Sequence, residues 1–495
     1  MKKILVTLLA LLVLMNALTA TVYANSAQTH WRGVDSTGAM VVGENCPIEV
    51  TGEKLTFDIA EFPDDYYYDR ETYLAYTGKV TAEYTFYNPT ALTVTATLAF
   101  PFGKQPDYAN VYDEESKTYL TNVDAEKYDV TVNGEAIEKR VRYTLSTDRQ
   151  FILSEDLTRL SDTYVTDDFY SPDMTVTKYT YLVGGANREG LIDEEQYRAA
   201  NVAFDWDGGD GRSRIYFPEQ SGFHTQKDGD GRLSRWADNG DIFCVYVIGE
   251  PLPEAPVFTC YEDGGVDDRE VIDGTVALTD TERMTLETFA LTSWREDTGV
   301  LRVDWYNAVI WALIEGGQGN AKYNYIDMHY GAELSCDRFM TSLMRWYEYE
   351  ITLAPGESLV NTVTAPIYPA VDMDYDPDIF TYTYLLSPAG TWADFGELEI
   401  VINTPFFLIE DSFGGFSETE GGYVMVHSGL PDGELTFTLC AEAEPDAPSR
   451  VLGALRVIAL VLSVVGMFVG KLLVPILVVI LIVLLVRRAR KKRKE

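Results

Sequence analysis

Apolar and polar residues alternate with a period of two over many short stretches of the chain. Clear examples in the first third are Lys54–Ile59, Val80–Tyr87 and Leu92–Phe100. Successive side chains of a strand point to opposite faces, so this alternation is typical of strands that bury one face. Tyr128–Ile137 adds the dipeptide Asn133-Gly134, which favours a tight hairpin turn. The pattern therefore predicts a mainly β protein.

The alternation returns between residues 346 and 439. Trp346–Leu353 is followed by the turn sequence Ala354–Glu357 and then by a second alternating stretch, Ser358–Ala365. Many short strands separated by turn residues favour a β-sandwich. Four further strands are predicted at Phe380–Leu386, Gly396–Asn403, Tyr423–His427 and Glu434–Leu439.

Helical signals are confined to the middle of the chain. Thr279 and Glu282 have the spacing of a capping box, which would begin a helix over Met284–Leu291. Trp305–Ile314 has apolar residues on several sides and is followed by Gly316-Gly317, a pair that favours a helix C-terminus. Two helices are therefore predicted there.

The first 24 residues have the pattern of a secretory signal peptide. Lys2 and Lys3 precede the apolar run Ile4–Leu14, and Val22 and Ala24 occupy the positions where small residues favour cleavage. We expect cleavage after Ala24. An uncleaved N-terminal anchor is the alternative interpretation.

One transmembrane helix is predicted at the C-terminal end, over residues 457–486 with a core at 467–486. About 20 apolar residues in a helix span the hydrocarbon of a bilayer. Seven basic residues follow in the tail, 487–495, beginning with Arg487 and Arg488. Positive charge beside a span marks the cytoplasmic side. The chain is therefore predicted to be a single-pass cell-membrane protein with its N-terminus outside and its C-terminus in the cytoplasm.

Lys471 is an ionisable residue within this predicted span. Its ammonium group either reaches the outer interface along its flexible stem or contacts a partner inside the membrane. The sequence Leu-Pro-x-Thr-Gly does not precede the span, so we expect the helix to be kept as an anchor.

Short motifs at the predicted turns and strands form a combination that resembles a known type of module. The chain resembles the immunoglobulin-like modules of uncharacterised bacterial membrane-anchored secreted proteins, which have no agreed activity or catalytic residues. The resemblance covers residues 44–140 and 344–440. The motifs are Asn88-Pro89, Phe100–Gly103, Val130–Gly134, Leu353–Glu357, Tyr382–Leu385 with Trp392, and Leu398–Ile400.

The resemblance implies one discontinuous β-sandwich domain formed by residues 25–140 and 344–445. Residues 141–343 would be a large mixed insertion, with helices near 281–315. Two successive domains are the alternative. The predicted fold class is thus mainly β: an immunoglobulin-like β-sandwich ectodomain with a mixed insertion, plus one C-terminal transmembrane helix.

The charge balance limits the partners of such an ectodomain. The chain has 77 acidic and 39 basic residues, a net charge of −38. This surface repels phosphate groups, so no nucleic acid partner is expected. Aromatic residues make up 13% of the chain, which favours a packed domain over a disordered acidic segment.

The five cysteines all lie on the predicted outer side of the membrane, where disulfides are permitted. An odd count leaves at least one thiol outside an intrachain disulfide. Cys244 and Cys260 are close in sequence and are a candidate pair.

Two acidic, glycine-rich stretches are candidate Ca²⁺ sites, because carboxylates on tight turns can surround that ion with oxygen ligands. Neither matches the spacing of a complete EF-hand loop, and exposed acidic loops are the alternative interpretation. Asp372–Asp378 is a similar acidic row, in which Pro377 favours a solvated loop. The candidate ligands are Asp205, Asp207, Asp210, Asp228 and Asp230.

Catalytic signatures are weak. The sequence contains neither Gly-x-Ser-x-Gly nor His-Glu-x-x-His, and its four histidines are scattered. We therefore expect a non-catalytic binding or scaffolding module of a bacterial envelope, with a cell-surface glycan or a protein as partner. The alternatives are a carbohydrate-active enzyme, a calcium-assisted carbohydrate binder, or a subunit of a membrane complex.

Overall fold

The structure is a computed structural model that describes 16 parts of the chain. The predicted signal peptide 1–24, the span 457–486 with Lys471, and the tail with Arg487 and Arg488 lie outside them. Within the described parts, no helix is both long enough and apolar enough to cross a bilayer. The described residues are 30–31, 35–37, 40–41, 46–62, 78–104, 111–113, 118–120, 128–146, 152–186, 199–218, 222–225, 230–264, 270–318, 321–327, 339–340 and 342–446.

The described residues are mainly in strands, as the alternation predicts. The strands are β1 His30–Trp31, β2 Asp35–Thr37, β3 Met40–Val41, β4 Glu49–Asp58, β5 Gly78–Tyr87, β6 Val94–Lys104, β7 Val111–Asp113, β8 Thr118–Leu120, β9 Val130–Val132, β10 Glu135–Ala136, β11 Arg140–Leu145, β12 Thr175–Gly184, β13 Ala200–Trp206, β14 Ser213–Tyr216, β15 Gly222–Thr225, β16 Gly231–Ala237, β17 Ile242–Gly249, β18 Thr259–Tyr261, β19 Thr275–Thr285, β20 Tyr325–Ile326, β21 Leu343–Leu353, β22 Ser358–Ile367, β23 Ala370–Asp372, β24 Ile379–Leu385, β25 Phe395–Asn403, β26 Phe407–Asp411, β27 Ser417–Thr419, β28 Gly422–Ser428 and β29 Leu435–Cys440. The α-helices are α1 Leu153–Asp156, α2 Leu286–Ala290 and α3 Arg302–Gln318. Short 3₁₀ turns cover Leu157–Arg159, Glu296–Thr298, Ala321–Tyr323 and Ser387–Thr391.

The chain forms two compact units. The smaller comprises residues 1–31, 371–379 and 444–495, and the larger comprises 32–370 and 380–443. In the smaller unit His30 of β1 lies opposite Asp372 in an antiparallel pair. All features below belong to the larger unit unless stated.

The strands near the two ends of the larger unit form one eight-stranded sheet, in the order β10-β9-β22-β5-β4-β25-β28-β27. Its pairs are antiparallel except β4 with β25, which run parallel. A four-stranded sheet has the order β11-β21-β6-β3. Phe57 of β4 contacts Tyr384 of β24 and Phe437 of β29, with ring centroids 5.7 and 5.0 Å apart. Aromatic side chains thus fill the interior between the eight-stranded sheet and the two strands β24 and β29.

The turn at Asn88-Pro89 and the turn at Ala354–Glu357 are joined by hydrogen bonds. The chain crosses between the eight-stranded and four-stranded sheets both at Asn88 and at Ala354–Glu357. The buried Asn88 side chain donates hydrogen bonds to the carbonyl oxygens of Leu353 and Ala354, each at 3.1 Å. The Gly356 N–H donates to the Asn88 carbonyl oxygen at 3.0 Å. These bonds join the two crossings, although the residues are about 265 positions apart.

The middle of the chain forms two further sheets, in the orders β19-β12-β17-β14-β20 and β15-β16-β13-β18. Aromatic residues including Tyr181, Phe204, Phe243 and Phe258 pack in one core there. A second core surrounds α3, where Trp305 and its neighbours are fully buried.

The hairpin at Asn133-Gly134 and the helix over Trp305–Ile314 are confirmed. Asn133 and Gly134 have φ values of 52° and 83°, as a tight turn with two left-handed residues requires. The predicted helix end at Gly316-Gly317 is wrong, since α3 continues to Gln318. A Cβ on Gly316 would lie 2.6 Å from the Asp327 carbonyl oxygen, so this glycine permits close packing instead.

The predicted capping box is also wrong. Thr279 and Glu282 lie within β19, which pairs with β12 along its length. The helix begins later, at Leu286, where the Thr285 hydroxyl accepts a hydrogen bond from the Thr288 N–H at 3.1 Å. Pairing with a neighbouring strand has overridden the local helical signal.

Candidate functional site

An open cleft of about 620 Å³ lies against the four-stranded sheet. Its walls come from β6, β11 and β21 and from the segment around Leu160 and Asp162. Charged side chains of both signs dominate the lining: Glu138, Lys139, Arg140, Arg142, Asp162, Glu348 and Glu350.

The alternation of β21 explains why its cleft face is acidic. Tyr347 and Tyr349 are buried, whereas Glu348 and Glu350 point to the other face. Phe100 of β6 lies opposite Tyr347, and Thr97 lies opposite Glu350. One face of the strand therefore enters the apolar interior and the other supplies carboxylates.

Arg142 is the centre of a buried ion network beneath the cleft. Its side chain is 1% exposed, and its Nη2 donates to Asp304 Oδ1 at 2.8 Å. Its Nη1 donates to Glu348 Oε2 at 2.7 Å, and its Nη2 also donates to the Ser161 carbonyl oxygen at 3.0 Å. Burial lowers the pKa of Arg142, but the hydrogen bond to Asp304 and the charges of Asp304, Glu348 and Asp162 together raise it. The guanidinium is thus a fixed positive charge.

Arg140 extends the network to the opening of the cleft. Its Nε donates to Glu348 Oε1 at 2.9 Å, and its Nη2 contacts the same oxygen. About half of the Arg140 side chain is exposed, and the Asp162 side chain that it also reaches is 64% exposed. Ligands entering the cleft would therefore meet groups of both charges.

Helix α3 holds the wall of the cleft through two residues one turn apart. Asp304 also accepts the backbone N–H of Tyr143 at 3.0 Å, so it connects α3 with β11. Asn307 accepts the Val165 N–H at 2.8 Å and donates to the Thr163 carbonyl oxygen at 2.9 Å. These bonds satisfy backbone groups of an irregular segment and keep it beside the cleft.

Comparisons with known proteins give no family for this chain. It matches no protein-family model, and no curated protein matches it significantly. A solved structure described as a "putative nutrient binding protein" from Legionella pneumophila subsp. pneumophila matches with 11% identity and a TM-score of 0.30. The match covers 83% of this chain and 72% of that one. The similarity is too low to bear on fold or function.

The predicted Ca²⁺ ligands are engaged in other contacts where the structure describes them. Asp205 Oδ1 accepts from Arg232 Nε at 2.7 Å, and Asp210 Oδ2 accepts from Arg212 Nε at 2.6 Å. Asp207 Oδ1 accepts the Gly209 N–H at 2.8 Å.

No group of three or more histidine, cysteine, aspartate or glutamate side chains within the described ranges could hold a metal ion. Asp228 lies outside those ranges, and Asp230 lies within them. The Ca²⁺ site stays a prediction. Cys244 and Cys260 are on β17 and β18, which belong to different sheets, and no disulfide joins them.

Glu53 is a buried acid that the sequence analysis missed. It lies on β4, is 3% exposed, and neither carboxylate oxygen has a hydrogen-bond partner within the described residues. Burial raises its pKa to about 8, against a smaller lowering effect of the nearby Tyr84 hydroxyl. A glutamate among the apolar inward positions of a strand was the available signal, since Leu55 and Phe57 follow it on β4.

Proposed function

We propose that the chain is a single-pass, membrane-anchored extracytoplasmic protein whose ectodomain binds a partner without catalysis. The signal-peptide and membrane-span patterns support the placement. β4, β5, β9 and β10 share one sheet with β22, β25, β27 and β28, which supports an immunoglobulin-like sandwich interrupted by an insertion. The charged cleft is the proposed binding site.

The observation that carries this proposal is the pairing of the Asp304 and Glu348 carboxylates with Arg142 at the cleft. Asp304 and Glu348 both direct their oxygens at arginine nitrogens 2.7–3.1 Å away. A general acid needs its oxygen within hydrogen-bond reach of the substrate, whereas these oxygens are engaged by arginine nitrogens. Burial raises the pKa of Asp304, against the opposing hydrogen bond and charge of Arg142. The network therefore holds these side chains in fixed positions, which suits binding.

The lining favours a ligand of mixed charge. Arg140 offers a half-exposed guanidinium, while Glu138, Asp162 and Glu350 are exposed carboxylates. Tyr349, the aromatic residue among the described lining residues, is only 3% exposed, so the broad aromatic faces that suit sugar rings are scarce. A polar protein segment carrying both Lys and Glu fits this chemistry.

Thermal unfolding of the full-length protein in detergent micelles tests the proposal. The probes are tetrapeptides with one Lys and one Glu, compared with tetrapeptides of Gly and Ser. A ligand at about 100 times its Kd stabilises a protein by about 2.7 kcal/mol, so the mixed-charge peptides should raise Tm by several degrees.

Glu350→Lys should abolish this shift, because it places a positive charge in the lining. The matched control Glu420→Lys reverses an exposed acid outside the cleft lining and should keep the shift. Equal stabilisation by both peptide classes, or a shift that persists in Glu350→Lys, contradicts the cleft as the binding site. Cleavage of the peptides contradicts the absence of catalysis.

A further inference from the structure

Strand β19 is a long edge strand. Its 11 residues pair with β12, and within the described ranges no strand pairs with its other side. Nine of the eleven residues are exposed. Edge strands direct unpaired N–H and C=O groups outward, where another extended chain can bind them.

Other edge strands of the described sheets are shorter. β27 and β10, at the two ends of the eight-stranded sheet, have 3 and 2 residues. Short edges are one way in which proteins prevent unwanted pairing. β19 is about 35 Å long by the usual rise per residue, so it offers a continuous backbone template that those edges do not.

The two faces of β19 differ in chemistry. Asp280 lies opposite Thr180 and Glu282 lies opposite Lys178 in the antiparallel register, so both carboxylates lie on one face. Neither carboxylate is within 4 Å of a cationic nitrogen in the described part of the chain. The register shifts between Thr180 and Tyr181, so Leu278, opposite Tyr181, lies on the other face and is 45% exposed. The exposed Arg283, opposite Thr177, lies on the same face as Leu278. A strand added here would meet Asp280 and Glu282 on one face, and Leu278 with Arg283 on the other.

We propose that β19 binds an extended segment of a protein partner, which adds to the five-stranded sheet and alternates basic with apolar residues. Main-chain hydrogen bonds supply affinity in this mode, and alternate side chains supply specificity. Basic residues would face Asp280 and Glu282, and apolar residues would cover Leu278. This site is separate from the cleft lining and does not depend on the cleft's function.

A second copy of the chain fits the edge poorly. Two β19 strands related by a two-fold axis perpendicular to the sheet would pair edge to edge, so the carboxylates of both copies would lie on the same side of the joined sheet. Like charges opposite each other destabilise a pair of strands. The net charge of −38 adds to this repulsion. Asp280 and Glu282 thus select against self-association and for a basic partner.

The test measures binding of three labelled heptapeptides to the full-length protein in detergent, by fluorescence anisotropy. The alternating peptide is Lys-Val-Lys-Val-Lys-Val-Lys. The block peptide contains the same residues as Lys-Lys-Lys-Lys-Val-Val-Val, and the third peptide has Glu in place of each Lys. The alternating peptide should bind at least about tenfold more tightly than the block peptide, and the Glu peptide should not bind. Amide hydrogen exchange should slow over residues 275–285.

The variant Asp280→Lys with Glu282→Lys should weaken binding by at least about tenfold. The control is Glu418→Lys on β27 with Glu420→Lys directly after it, which reverses two acids of equal spacing and should change binding less than about twofold. Equal binding of alternating and block peptides would show plain charge attraction and overturn the proposal. The proposal is also overturned if the alternating peptide does not bind at concentrations up to about 1 mM. Exchange that slows only outside residues 275–285 has the same consequence. Glu350→Lys should leave this binding intact.

Discussion

Arg142 Nη2 lies 2.8 Å from Asp304 Oδ1, and the two side chains are 1% and 2% exposed. The pair joins β11 to α3 across 162 positions of sequence. Glu348 completes the connection by binding Arg142 and Arg140 from β21. One guanidinium therefore holds a helix, two strands and the Ser161 carbonyl in a fixed arrangement beneath the cleft.

Breaking this pair should destabilise the protein strongly. Removing one partner leaves the other charge buried, which costs about 3–5 kcal/mol. We expect Asp304→Asn to lower the free energy of unfolding by about 3 kcal/mol. Asp162→Asn removes an exposed partner of the same arginine and should cost less than about 1 kcal/mol. Denaturant unfolding followed by circular dichroism measures both, and equal effects of the two variants would contradict the account.

Arg345 is a second buried arginine with a different environment. Its Nε donates to the Gly103 carbonyl oxygen at 3.2 Å and its guanidinium lies 4.8 Å from the Phe102 ring centroid. Its terminal nitrogens have no hydrogen-bond partner within the described residues. Replacing Arg345 with an apolar residue of similar length removes a buried guanidinium whose terminal nitrogens are not hydrogen-bonded within the described residues.

We therefore expect Arg345→Met to be neutral within about 1 kcal/mol, or stabilising. Arg142→Met, at the well-paired arginine, should cost at least about 3 kcal/mol. The same denaturant experiment compares the two variants. A large loss for Arg345→Met would show that its terminal nitrogens bind a group that stabilises the fold.

Glu53 should make stability depend on pH. Its pKa is raised from 4.5 to about 8 in the folded protein, so the folded state retains a proton that the unfolded state releases. The free energy of unfolding should therefore fall as pH rises from about 4.5 to about 8, by up to about 1.4 kcal/mol per pH unit.

Glu53→Gln should remove this fall and stabilise the protein at pH 8 by a few kcal/mol, on the order expected for a buried carboxylate. The exposed Glu83, also on the eight-stranded sheet, provides the control Glu83→Gln, which should keep the pH dependence. Thermal melts between pH 5 and pH 8.5 measure the effect. If Tm fell with pH equally in the wild type and in Glu53→Gln, the raised pKa of Glu53 would not be the cause of the pH dependence.

Added Ca²⁺ should have little effect on stability. Arg232 and Arg212 already neutralise Asp205 and Asp210, so a cation would have to displace both. We expect Ca²⁺ at 1 mM, compared with chelator at matched ionic strength, to change Tm by less than about 2 °C. A larger rise, lost on Asp228→Asn with Asp230→Asn, would instead establish the Ca²⁺ site that the sequence predicts.

Much of the strand pattern was predictable from local sequence. Val80–Tyr87 and Ser358–Ala365 lie within β5 and β22 because period-two alternation directly reflects one buried face. The turn at Asn133-Gly134 follows from the backbone angles that these residues tolerate. These features depend on a few adjacent residues, so a single sequence is enough to locate them.

Features that depend on distant residues were not predictable. Thr279 and Glu282 fit a helix start, yet β12 pairs with them as a strand. The pairing of Arg142 with Asp304 joins residues that no local pattern connects, and the cleft depends on that pairing. The acidic clusters predicted a Ca²⁺ site. However, Arg212 binds Asp210 from two positions away, and Arg232 binds Asp205 from 27 positions away.

The most direct test of the binding account maps where a mixed-charge peptide protects the full-length protein. Amide hydrogen exchange is measured with and without a saturating tetrapeptide that carries one Lys and one Glu. Binding in the cleft should slow exchange at residues 137–142, 160–162 and 348–350, which form its lining, and should cause no such change in Glu350→Lys. Unchanged exchange in those segments, or slower exchange confined to other segments, would contradict the assignment of the cleft as the binding site.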